Sequence, residues 1–136
     1  MTPVLAETDI PAHIRDAWYG YAPAEAALAA RLRATIFAVA AETPEVGGLT
    51  EALRWGQAAY LTEGTGSGTT LRIARASAGR VGLYVHCQSR VVDEVRMVHD
   101  RALTWDGTRG LLLDTDASWP EAAVRAMIVA ALTYRL

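Results

Sequence analysis

The stretch from Thr69 to Cys87 carries the clearest pattern in the chain, two alternating runs flanking a small-residue break at Ser77-Ala78-Gly79. A period of two marks half-buried strands, and a break of this kind marks a hairpin between them. A three-residue loop ending in Gly sets Arg72 opposite Tyr84 and Thr70 opposite His86. In that register Leu71, Ile73, Val81, Leu83, Val85 and Cys87 share an apolar face that needs a core. Arg72, Tyr84 and His86 share the other face. A one-residue slip would scramble both faces, so the pattern argues for the register.

Elsewhere the period becomes helical. Ile14, Trp18 and Tyr21 predict a short amphipathic helix over 11–20, opened by Pro11 and closed by Gly20. Leu28, Leu32, Ile36 and Val39 predict a longer one from Pro23 to Glu42, with Arg31, Arg33 and Glu42 on its other sides. Thr50–Trp55 reads as a short helix stopped by Gly56, and Ala58–Leu61 as a strand. Glu63–Gly68 reads as a mobile polar loop.

Val91, Val92, Val95 and Val98 predict a helix over 90–99 with Ser89 as its N-cap. Leu103–Trp105 and Leu111–Leu113 flank Asp106-Gly107 as a second hairpin. Ser118 and Glu121 fit a capping box for a last helix reaching Tyr134, with Val124, Ile128, Ala131 and Leu132 inward. Residues 1–8 read as a loose tail. The expected class is α+β, a single domain over 1–136 with a curved antiparallel sheet and helices packed on one face.

Composition narrows the chemistry. A net charge of -2 and a pI near 5.9 give no electrostatic footprint for nucleic acid, so no nucleic-acid partner is expected. All 13 basic residues are Arg, which excludes Schiff-base chemistry and a phosphate-loop lysine. The single Cys87 forms no intramolecular disulfide, no apolar run approaches the ~20 residues of a membrane span, and the N-terminus lacks a signal-peptide pattern. A cytoplasmic protein without a membrane partner is expected.

Adjacent strand residues point to opposite faces, so His86 and Cys87 cannot chelate one ion, and Cys87 reads as a small core residue. His13, His86 and His99 are scattered. The loop Gly64–Thr70 leads into a strand and has no Lys, unlike a phosphate cradle. Asp93-Glu94 and Asp114-x-Asp116 read as solvated carboxylates. No metal, cofactor or catalytic constellation emerges, which favours a non-enzymatic protein. The residues that gather are Arg72, Tyr84 and His86, with Trp55 and Tyr60 near one end. An Arg across from a Tyr is either a structural stack or a wall for a planar or anionic ligand, or for a protein.

EALRWGQAAYL at 51–61, GSGTTLRIA at 66–74, RVGLYVHCQSRVVDEVR at 80–96, GTRGLLLD at 107–114 and WPEAAVRAMIVAALTYR at 119–135 together resemble the YdhG-like family of small bacterial domains. The resemblance covers roughly 25–136 and implies a compact domain similar in layout to frataxin. For one branch it implies iron as a cargo to be delivered. Frataxin-type iron binding uses a dense acidic ridge on the first long helix, where this chain has only Glu25 and Glu42 with Arg31 and Arg33 between them.

Overall fold

The computed structural model describes residues 10–99 and 103–136; the tail read at 1–8 lies outside them. In chain order the elements are α1 (Ala12–Ala17), α2 (Pro23–Ala41), β1 (Thr50–Arg54), β2 (Gln57–Leu61), β3 (Leu71–Ser77), β4 (Arg80–Tyr84), α3 (Val91–His99), β5 (Thr104–Asp106), β6 (Gly110–Asp114) and α4 (Glu121–Leu132). The six strands form one antiparallel sheet in the order β1-β2-β3-β4-β6-β5. The class is α+β.

Opposite residues in an antiparallel ladder share a face, so the registers define two rows that cross the sheet. Leu53, Ala58, Ile73, Leu83, Leu111 and Trp105 run across all six strands on one side. Ala58, Ile73, Leu83 and Leu111 join one buried cluster with Ile14 of α1, Leu32 and Ile36 of α2, Val92 of α3 and Ile128 of α4. That is the helix face. Ala52, Ala59, Arg72, Tyr84, Gly110 and Asp106 form the matching row on the other side. Ala59 and Tyr84 are buried yet stand apart from the core cluster. This is the open face.

The β3–β4 hairpin has the expected pairing from Arg72↔Tyr84 to Arg75↔Val81. Its loop is shorter than expected: Ser77 pairs with Arg80, so a bulge near Ala76 absorbs one residue and only Ala78-Gly79 turn. The ladder stops at Tyr84, so Thr70 and His86 do not pair, and Cys87 is exposed instead of buried.

Thr50–Trp55 is not a helix. It supplies β1, joined to β2 by a two-residue turn in which Trp55 and Gly56 both have positive φ, 51° and 73°. That is the signature of a type I′ hairpin, whose twist matches the strands. Gly56 is therefore a turn glycine, not a helix stop.

Buried charge holds α2 in place. Arg33, expected on an outer side of this helix, is buried and donates from Nε (2.6 Å) and Nη2 (2.9 Å) to the Glu51 carboxylate, which also accepts the Tyr60 hydroxyl at 2.8 Å. Glu25 accepts the Ala22 amide at 2.9 Å, the Gly79 amide at 2.6 Å and Arg75 Nε at 2.8 Å. It caps α2 and ties it to the β3–β4 turn.

The loop 63–68, expected as a mobile connection, is docked against the end of α4 by hydrogen bonds. Ser67 Oγ donates to the Leu132 carbonyl, Thr69 N–H to the Ala131 carbonyl and Arg135 N–H to the Ser67 carbonyl, each at 2.8 Å. The first two satisfy carbonyls that a helix end leaves orphaned. A Cβ on Gly68 would lie 2.3 Å from the Ala131 oxygen, so only glycine permits this approach. Two expected caps are absent. Ser89 Oγ is buried without a partner, and α4 starts after Pro120 with no side-chain cap.

Candidate functional site: the open face of the sheet

The site begins with two glycines. Gly82 precedes Tyr84 by two residues on the same face, and Gly110 lies directly across from it. A Cβ on Gly82 would stand 2.4 Å from Tyr84 Cε2, and one on Gly110 2.6 Å from Cδ1. The Tyr84 ring therefore lies down on bare backbone of β4 and β6, which a larger residue at either position would forbid.

Arg72 and Arg109 flank this ring. Their Cζ atoms are 5.8 Å and 5.9 Å from its centroid, and Arg72 is also 5.5 Å from the Trp55 ring. Trp55, Arg72, Tyr84 and Arg109 thus alternate aromatic and cationic groups across the sheet. Trp55 is 85% exposed at the β1–β2 turn.

The charges differ in how they are neutralised. Arg109 Nη2 is 3.2 Å from Asp106 Oδ2, and Arg80 Nε is 2.6 Å from Asp114 Oδ1. Arg72 donates from Nη1 to the neutral Gln57 Oε1 at 2.7 Å and has no carboxylate partner among the described residues. Among the described residues the Arg54 side chain, on the same face, donates to the Leu53 carbonyl. Desolvation, then the nearby Arg109 charge, lowers the pKa of Arg72. Cation–π contacts at this range are worth about 0.5–1 kcal/mol each and do not cancel a charge. The β1–β3 half of the face therefore keeps uncompensated positive charge. Burial, followed by the Asp106 charge, raises the Tyr84 pKa, so the phenol stays neutral and is a donor, with Asp106 Oδ2 3.4 Å away.

Of the five residues read from the sequence, Arg72, Tyr84 and Trp55 come together. His86 lies past the end of β4, exposed, its Nδ1 accepting the Gln88 amide at 3.1 Å. Tyr60 faces the helices: it is fully buried, edge-on to Phe37 at 5.8 Å and bound to Glu51. Burial, then the Glu51 charge, pushes its pKa far above the ordinary phenol value. Gln57, Asp106 and Arg109 complete the face and were not singled out from the sequence. Asp106 is opposite Gly110, itself opposite Tyr84, so the order β4-β6-β5 was the missing information.

Among the described residues no group of three or more His, Cys, Asp or Glu side chains is placed to hold a metal ion. Of the groups an iron cargo would draw on, Glu25 is taken up by Arg75 and two backbone amides, and Glu42 is paired with Arg125. No described helix is long and apolar enough to cross a membrane. Comparison with protein-family models, with curated proteins and with solved structures finds no match.

Proposed function

We propose that the chain is a non-enzymatic binding or adaptor module whose open sheet face grips an acidic, extended segment of a protein partner. The observation that carries this is Arg72, half-buried between Trp55 and Tyr84 and held by a neutral amide instead of a carboxylate. A guanidinium in that state gains from a carboxylate brought to it in a two-point fork. Trp, Tyr and Arg are also the residues that most often anchor protein interfaces.

A polypeptide segment suits this face better than a small molecule. Two grooves among the described residues lie elsewhere and are lined by none of these side chains. From β2 to β6 the row crosses three strand spacings, ~14 Å, the length of about four extended residues.

Calorimetric titration with a hexaglutamate peptide tests the proposal. The expected result is salt-sensitive binding that weakens about tenfold in Arg72→Gln and is kept in Arg80→Gln, whose parent is already neutralised by Asp114. Equal binding by both variants, or none by the parent chain, overturns it.

A further inference from the structure

On the helix side, a groove of about 310 Å³ runs between α2 and the β6–α4 connection. One wall is formed by the exposed Ala24, Ala27 and Arg31 of α2 with the half-buried Leu28, and the other includes Leu113 and Trp119. The Arg31 guanidinium lies 4.1 Å from the centroid of the Trp119 ring, the closest such stack among the described residues. The indole N–H of Trp119 is hydrogen-bonded to Glu121 Oε1, which fixes the ring under the cation.

The charges around this groove are unequal. Asp114 lines it but is held by Arg80 at 2.6 Å, and Glu121 is engaged by Trp119 and lies 3.6 Å from Arg125. Arg31 has no carboxylate partner among the described residues; what it has is an aromatic face. The trough sets an apolar strip of Ala24, Ala27, Leu28 and Leu113 beside the polar Thr115 and Ser118 and ends in an unneutralised guanidinium held on an aromatic face, which suits an aliphatic chain carrying a carboxylate. The volume is at the small end of ligand pockets, which limits the chain to a short one.

We propose that this groove is a second binding site, separate from the open sheet face, for a short-chain aliphatic carboxylate whose tail lies on Ala24, Ala27, Leu28 and Leu113 and whose head is taken by Arg31. It does not depend on the adaptor reading, since the two sites share no residue that binds.

The test is NMR titration with hexanoate, following the Trp119 indole N–H signal, assigned with Trp119→Phe. Acetate, which lacks the tail, and hexylammonium, which reverses the charge, serve as comparisons. Hexanoate should shift this signal saturably, with at least tenfold weaker effects from acetate and hexylammonium. Arg31→Gln should weaken hexanoate about tenfold or more. Ala27→Phe, at an exposed groove position where folding is not at stake, should block it by filling the trough. An unmoved Trp119 signal, an equal response to hexylammonium, or undiminished binding by a folded Arg31→Gln or Ala27→Phe variant overturns the proposal.

Discussion

Trp55 holds a φ of 51° in a turn position where Asn or Gly is the usual occupant. A bulky residue in the left-handed region costs about 1–2 kcal/mol, and the contact with Arg72 returns about 0.5–1 kcal/mol. The balance is unfavourable to folding, and residues kept in such conformations cluster at functional sites. Trp55→Asn is therefore expected to raise the melting temperature by about 2–3 °C while weakening hexaglutamate binding. Thermal denaturation and calorimetry of the same variant check both halves. A lower melting temperature with unchanged affinity would make Trp55 a structural residue.

At the scale of elements, the junction of α2 with the β3–β4 turn rests on one carboxylate. Hydrogen bonds from the Gly79 and then the Ala22 amides lower the Glu25 pKa below its usual value, with Arg75 adding to the effect. A depressed carboxylate contributes stability above its unfolded pKa, near 4.3, and loses it as pH falls through the folded value. Glu25→Gln should therefore be less stable than the parent at pH 7, with the gap closing as the pH is lowered past 4. Urea unfolding of both chains at pH 7 and pH 3 measures this, and a gap independent of pH would contradict it.

How far each element could be read from the sequence follows from where its information lies. The β3–β4 register was legible because Leu71, Ile73, Val81, Leu83 and Val85 fall on one face and Arg72 and Tyr84 on the other, although Arg75 interrupts the apolar row. α2 was legible from Leu28, Leu32, Ile36 and Val39, but Arg33 was not, because its burial depends on Glu51 arriving from a strand. β1 was misread because Glu-Ala-Leu-Arg are strong helix formers and Gly56 resembles a helix stop. What overrides them is ladder pairing with β2 across a turn whose first residue, Trp55, is an unusual one for positive φ. The pairing of Arg72 with Tyr84 was visible in the same alternation. Arg109 and Asp106 were not, since nothing local to 104–110 tells that β6 inserts between β4 and β5.

On the scale of the whole molecule, a net charge of -2 conceals a division between two sides. The helix face gathers charges into closed groups such as Arg33–Glu51–Tyr60, which hold the fold together, and leaves Arg31 on the Trp119 ring at its groove. Among the described residues the open face leaves Arg72 and Arg54 without carboxylates beside an exposed tryptophan. Recognition of an acidic segment should therefore be confined to one side of the sheet. The most direct measurement is a backbone amide chemical-shift map of the protein titrated with hexaglutamate. Saturable shifts are expected at Arg54–Gln57, Arg72, Tyr84 and Asp106–Gly110, with α1 to α4 quiet. Shifts centred on the helices, or none anywhere, would contradict it.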